Sequence, residues 1–276
     1  MQTNTFTFSS IYSNATLTSY IHDVSPEMPM PPRRAIIVCP GGGYGFLSDR
    51  EGEPIALQYF AAGLNVFLLR YSIAPKAADY TPLTEAALAI AHLRLNAEKY
   101  LIDSNYIFIT GFSAGGHLAA SAGTLWKLPL LTERLKADLG DAYYDGINRP
   151  TATLPCYPVI TAGEYTHRGS IINLCGKQDA TEEEMNAFSL ELHVDGDTTP
   201  AFIWHTFDDG CVPIQNSLLY ANALSKHGVP FELHVYPHGN HGLSLCNTET
   251  WSNQPHFINP RCAGWIDLAI RYVKEF

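Results

Sequence analysis

Positive charge is scarce in this chain: 17 Lys and Arg stand against 27 Asp and Glu in 276 residues, a formal net charge of −10. No basic stripe runs along it, so neither a nucleic-acid backbone nor an anionic membrane surface is an expected partner. Charged residues of both signs amount to only 16% and hydrophobic ones to 46%, which excludes an unfolded, highly charged chain and supplies a substantial core. No apolar run is long enough to span a bilayer. Met1–Phe6 has neither the charged nor the apolar part expected of a secretion signal. The six cysteines (Cys39, Cys156, Cys175, Cys211, Cys246 and Cys262) are scattered without close pairs, the usage expected of reduced thiols in a cytoplasmic protein. Internal repeats and low-complexity tracts are missing too. The length suits one large α/β domain over 1–276.

What is present is an alternation of strand and helix patterns. Pro26–Pro32 reads as an extended connector that closes an N-terminal segment, 1–32, holding an edge hairpin of Thr5–Ser9 and Thr16–His22. Beyond it, Ala35–Cys39, Asn65–Leu69, Tyr106–Thr110, Thr153–Tyr157, Ala201–Thr206 and Phe231–Tyr236 read as strands. Helical spacing appears at Pro54–Ala62, Leu83–Glu98, after Ser113, at Gln215–His227 and at Ala263–Lys274. Such an alternation implies a mostly parallel central sheet with helices on both faces, its site at the strands' carboxyl edge. Two stretches fit poorly, 126–149 and 160–197. They are candidates for small cap-like excursions or for lateral surface helices in equal measure.

The most telling stretch is Tyr106–Ala120. An apolar β-branched run stops at Gly111-Phe112-Ser113-Ala114-Gly115 and turns at once into a small-residue helical pattern. That is the strand, serine, helix order of a nucleophile elbow, in which crowded backbones demand neighbours without Cβ atoms. Ser113 is the candidate nucleophile, and the amide of Ala114 would point toward an oxyanion forming beside it.

A serine hydroxyl needs a base, and the base needs a carboxylate to fix its tautomer. The strand Ala201–Thr206 ends in Phe207-Asp208-Asp209-Gly210-Cys211-Val212-Pro213, where the carboxylate is expected. The Asp-x-x-Val-Pro spacing favours Asp209 over Asp208. The loop Pro237–Leu243, after the last apolar strand, offers His241, with His238 as its competitor. A metal at His234, His238 and His241 finds no second cluster of ligands at suitable spacing. His117 and His205 read as structural.

A triglycine follows the first core strand, Cys39-Pro40-Gly41-Gly42-Gly43-Tyr44, as an oxyanion loop would. It has neither the Gly-Lys-Ser/Thr ending of a phosphate loop nor the Gly-x-Gly-x-x-Gly order of a dinucleotide site. No cofactor is expected.

With these segments in view the chain resembles the α/β-hydrolase superfamily, and within it the esterases and lipases related to hormone-sensitive lipase and to bacterial carbohydrate acetyl esterases. The resemblance covers nearly everything after Pro32. It is carried by CPGGGY at Cys39–Tyr44, REGEPIA at Arg50–Ala56, LRYSIAP at Leu69–Pro75, GFSAGGHLA at Gly111–Ala119, FIWHTFDDGCVP at Phe202–Pro213 and HGNHGLSL at His238–Leu245. It implies Ser113 as nucleophile, Asp209 as orienting acid, His241 as general base, and Gly42, Gly43 and Ala114 as oxyanion donors. The lipase group usually has His where this chain has Pro40, which brings in the Tyr44 amide as a further candidate donor. The long N-terminal cap helices of many lipase relatives have no counterpart here, which suits a shallow site and short acyl groups.

The reaction so implied is hydrolysis of short-chain, acetyl-type esters through an acyl-enzyme, with sugars as the expected alcohols. The partner is then a small-molecule ester, and association into a homo-oligomer through an edge strand or peripheral helices fits an acidic esterase of this size. Tyr44, Tyr71, Trp204 and Trp251 are aromatics that could stack on a sugar, or pack in the core. The same three side chains also serve a kynurenine-formamidase-like or peptidase-like amide hydrolase, although a peptidase usually carries an additional domain. A non-catalytic binding protein on the same fold is the alternative from another class.

Overall fold

A computed structural model describes residues 1–276. One eight-stranded sheet runs through the molecule: β1 (Gln2–Phe6), β2 (Thr16–Ile21), β3 (Arg33–Cys39), β4 (Asn65–Arg70), β5 (Ile102–Phe112), β6 (Thr153–Cys156), β7 (Ala201–Thr206) and β8 (Phe231–Tyr236). Their spatial order is β1-β2-β4-β3-β5-β6-β7-β8. β2 runs antiparallel to both of its neighbours, while the strands from β4 to β8 are mutually parallel. The helices are α1 (Glu53–Ala61), α2 (Thr81–Leu95), α3 (Ala114–Thr124), α4 (Pro129–Leu139), α5 (Arg168–Cys175), α6 (Glu182–Asn186), α7 (Gln215–Lys226) and α8 (Trp265–Glu275).

Strand periodicity divides the core between the two faces of the sheet. Ala35, Ile37 and Cys39 of β3 join one buried cluster with Ala86 of α2, Leu118 of α3 and Tyr220 of α7. The alternate residues Ile36 and Val38 join the other, with Ile55 of α1 and Trp265 of α8. Successive side chains of a strand point to opposite faces, so a strand covered on both sides is apolar throughout. α8 buries Trp265, Ile266, Ala269 and Val273 at helical spacing and leaves Lys274 and Glu275 in solvent.

Most boundaries shift by three residues or fewer, and two strand starts differ for a structural reason. β1 is Gln2–Phe6 rather than Thr5–Ser9, because pairing with β2 sets the register from Gln2 opposite Ile21 to Phe6 opposite Leu17. Ser9 instead turns the chain, its hydroxyl accepting from the amides of Ile11 and Tyr12. β5 starts at Ile102, four residues early, since Ile102 pairs with Arg33 across an irregularity in the ladder that polar Asp103-Ser104-Asn105 occupies.

The irregular stretches part ways. α4, within 126–149, packs against α2 on the flank of the sheet. The 160–197 stretch, with α5 and α6, runs beside the carboxyl ends of the strands and reaches the glycine loop through Asn173.

Candidate functional site

Ser113 occupies the turn between β5 and α3 with φ 54° and ψ −116°, a conformation that strains any residue with a Cβ by about 1–3 kcal/mol. Three backbone hydrogen bonds hold it there: its amide donates to the Cys156 carbonyl at 3.0 Å, and its carbonyl accepts from Val159 and His117 at 3.1 and 3.0 Å. The flanking glycines are required by contact. A Cβ on Gly111 would stand 2.0 Å from the Gly115 carbonyl oxygen, and one on Gly115 would stand 2.2 Å from that of Cys39.

The Ser113 hydroxyl lies 2.8 Å from Nε2 of His241, and Nδ1 of His241 lies 2.7 Å from Oδ2 of Asp209. An ionised carboxylate only accepts, so Nδ1 carries the proton and Nε2 is left to accept from the serine. Asp209 is buried, and its Oδ1 accepts from the amides of Cys211 and Val212, both at 2.9 Å. Burial pushes this carboxyl up, but the hydrogen bonds from His205 and His241 outweigh it and hold the group well below the usual carboxylate range. His205 is therefore more than filler in the core. Its Nε2 donates to the Val212 carbonyl at 2.9 Å and stands 3.3 Å from Oδ2 of Asp209.

The remaining candidates separate cleanly. Asp208 accepts from the Gly239 amide at 2.7 Å and pairs with His238 at 2.9 Å, a second Asp–His pair on the exposed side of the loop. His234 pairs with Glu232. The three histidines of this region thus each face a different carboxylate. His117 is buried between the Tyr44 hydroxyl and the Phe188 carbonyl, 2.9 Å from each.

Gly42 and Gly43 line a cavity of about 390 Å³ together with Ser113 and His241. Both have positive φ, 129° and 63°, and a Cβ on Gly42 would meet the Phe46 carbonyl oxygen at 2.1 Å. Ala114 is the first residue of α3, where amides have no carbonyl one turn back to bond. Of the thirteen residues lining the cavity only Phe46 and Cys211 are hydrophobic. Tyr44, Tyr71 and Trp204 are buried and Trp251 lies outside the lining, so the aromatic at this cavity is Phe46, 61% exposed.

Four lining residues to which the sequence reading gave no role make side-chain contacts that shape the cavity. Glu51 is 3% exposed, with Oε2 accepting from the Gly41 amide at 2.9 Å and Oε1 from the Tyr157 hydroxyl at 2.7 Å. Burial pushes its carboxyl above the usual carboxylate range, and the Tyr157 bond offsets part of that rise. Its neighbour Arg50 is stacked 3.8 Å above the ring of Phe257 and donates to the Thr250 carbonyl. His167 and Asn173 come from the 160–197 stretch. His167 sits 2.8 Å from the Ser170 hydroxyl, and burial, then the nearby His241, push its pKa down. Asn173 donates to the Gly43 carbonyl at 2.8 Å. Nothing local in the sequence distinguishes Glu51 from an exposed acid ahead of a helix; its burial is a property of the fold.

A mostly parallel sheet covered on both faces, with a serine on the turn after β5, defines the α/β-hydrolase class. Within it the chain belongs to the BD-FAE family, which matches residues 24–224. It is 38% identical over 244 residues to endo-1,4-beta-xylanase B of Butyrivibrio fibrisolvens, covering 86% of this chain and 36% of that one. It is 30% identical over 220 residues to the acetylxylan esterase of Xylanibacter ruminicola, covering 78% of this chain and 42% of that one. The chain thus spans well under half the length of these curated relatives. Among solved structures, a carboxylesterase of Lactobacillus plantarum matches with a TM-score of 0.84 and 29% identity, covering 100% of this chain and 98% of that one. An acetyl ester-xyloside bifunctional hydrolase of Caldicellulosiruptor lactoaceticus matches at 0.77 and 37%, covering 95% and 88%. No helix is long and apolar enough to cross a membrane.

Proposed function

We propose that this protein is a serine carboxylesterase, a hydrolase of carboxylic ester bonds, that removes short acyl groups of the acetyl type from sugars. The observation that carries the reading is the continuous hydrogen-bond chain from Ser113 Oγ through His241 to Asp209. In the reaction Ser113 attacks the ester carbonyl as His241 Nε2 takes its proton, while Asp209 keeps the imidazole in the required tautomer. The amides of Gly42, Gly43 and Ala114 receive the negative charge on the tetrahedral oxygen, a contribution of about 3 kcal/mol per donor. His241 then protonates the leaving alcohol, and water, activated by the same base, releases the acid from acyl-Ser113.

No aliphatic side chain lines the cavity, so a fatty chain finds no extended slot there, while Ser48, Arg50, Asn173 and His167 offer polar groups to a hydroxyl-rich alcohol. The relatives named for acetylated xylan or xylosides point the same way. The test is hydrolysis of nitrophenyl acetate, butyrate and octanoate by the wild type and by Ser113→Ala, followed by acetate release from acetylated xylo-oligosaccharides. Acetate turnover that falls with chain length and disappears in the variant is the expected result. Equal inertness of both proteins would overturn it, and formamide substrates or a non-catalytic binding role would come next.

A further inference from the structure

Glu51 lies where the glycine loop and the His241 loop meet. One oxygen receives the Gly41 amide; the other receives the Tyr157 hydroxyl, whose own oxygen accepts the Ser244 amide at 2.9 Å. Ser244 in turn donates to the Arg50 carbonyl. The ring of Tyr157 stands edge-on to His241, with centroids 5.2 Å apart. Counting donors decides the protonation. With a lone pair of Tyr157 taken by Ser244, its single proton is placed only if Glu51 accepts it, and the other carboxylate oxygen already accepts from Gly41. Two donors aimed at the two carboxyl oxygens favour the carboxylate and offset part of the upward push that burial gives this group, which is 3% exposed.

We infer that Glu51 is a positioning residue: an ionised, buried carboxylate that clamps the glycine loop to the His241 loop and supplies a second negative charge, besides Asp209, to the imidazolium formed during the reaction. Its Oε1 is 3.9 Å from where a Cβ on Gly242, next to His241, would stand. The other titratable or charged groups around the pair are Asp209 after β7, His167 ahead of α5, Arg50 beside Glu51, Tyr71 after β4, Cys156 at the end of β6, Tyr157 after it and Cys211 on the cavity wall. Only Asp209 and Glu51 among them are placed to favour a positive His241 at neutral pH.

The inference rests on the serine esterase reading, and the test separates the two. Glu51→Gln keeps the shape, removes the charge and can satisfy only one of the two donors. Its kcat on nitrophenyl acetate is expected to fall about 10- to 100-fold with KM within about threefold. The acid limb of kcat/KM against pH should move down by roughly half a unit or more, because removing a negative charge disfavours protonation of the base. Tyr157→Phe cuts the clamp but keeps the charge, so kcat should fall at least about threefold with the acid limb unmoved. A folded Glu51→Gln protein with wild-type kcat, or with an unmoved limb, overturns the inference. If that variant does not fold, an unchanged kcat in Tyr157→Phe overturns it instead. An inert wild type, or an active Ser113→Ala, would sink the esterase reading itself.

Discussion

Oδ2 of Asp209 lies 2.7 Å from Nδ1 of His241, while Asp208, one residue earlier, reaches 2.9 Å from Nδ1 of His238. Two adjacent acids thus serve two histidines three residues apart, one pair buried against Ser113 and the other at the surface. Asp209→Asn should lower kcat by about four orders of magnitude, because an amide hydrogen-bonded to Nδ1 stabilises the wrong tautomer. Asp208→Asn should stay within a few-fold of wild type. Similar losses in both variants would remove the basis for assigning Asp209 the orienting role.

The elbow glycines test the packing argument independently of chemistry. Gly115→Ala places a Cβ 2.2 Å from one backbone carbonyl oxygen and 2.4 Å from another, neither free to move. A loss of about 3 kcal/mol or more in urea unfolding is expected, with activity abolished. Gly264→Ala is the opposite case. That residue has φ −72° and ψ −4°, and a Cβ there meets nothing within 4 Å. Restricting the unfolded chain should stabilise the protein by about 0.4–1 kcal/mol.

Stability should depend on pH from both sides. Burial pushes the pKa of His117 down to about 4, and burial with the charge of Lys99 does the same for His92. The unfolded chain protonates these histidines near about 6.5. As pH falls from there toward 4 the unfolded state binds more protons, and stability is lost through that window. Glu85 acts in the opposite sense: burial pushes it up to about 7, so the folded state keeps a proton that the unfolded one releases near about 4.3. Its contribution is lost as pH rises from there through 7. Between about pH 4 and 7 the two effects oppose each other, so Glu85→Gln should steepen the rise of the urea midpoint with pH. A variant whose midpoint follows the wild-type pH profile would contradict the Glu85 assignment.

Asn173 ties the 160–197 stretch to the Gly43 carbonyl. Asn173→Ala should reduce kcat by about 3- to 10-fold through a looser glycine loop, with a change in unfolding free energy of about 1 kcal/mol. Phe46→Ala, at an exposed ring on the cavity, should raise KM for an acetylated oligosaccharide and leave that for nitrophenyl acetate nearly unchanged. Equal effects on the two substrates would place Phe46 outside the alcohol site.

Much of this molecule was legible in one dimension. β7 falls on the residues its apolar pattern marks, because a parallel strand buried on both faces is apolar along nearly its whole length. Ser113 announced itself through glycines whose absence of a Cβ is a local steric need. His241 and Asp209 could be named only as favourites within pairs, since a single sequence does not say which of two neighbouring acids turns inward. His167 and Asn173 left no signal, and Glu51, although inside the REGEPIA motif, left none of its burial. A buried carboxylate and an exposed one are the same letter, and the 160–197 stretch has no periodicity that fixes its position over the sheet.

The chain by itself determined its class: alternating apolar runs can bury their faces only as a covered parallel sheet, and the serine turn tolerates only glycine around it. The tertiary structure decided the pairings. β5, β6, β7 and β8 bring Ser113 to 2.8 Å from His241, 128 residues away, and His241 to 2.7 Å from Asp209. It also put Asp209 rather than Asp208 against His241, and closed Glu51 between the glycine loop and the His241 loop, far apart in the chain. Those outcomes depend on distance and burial, which long-range packing creates and local sequence does not encode.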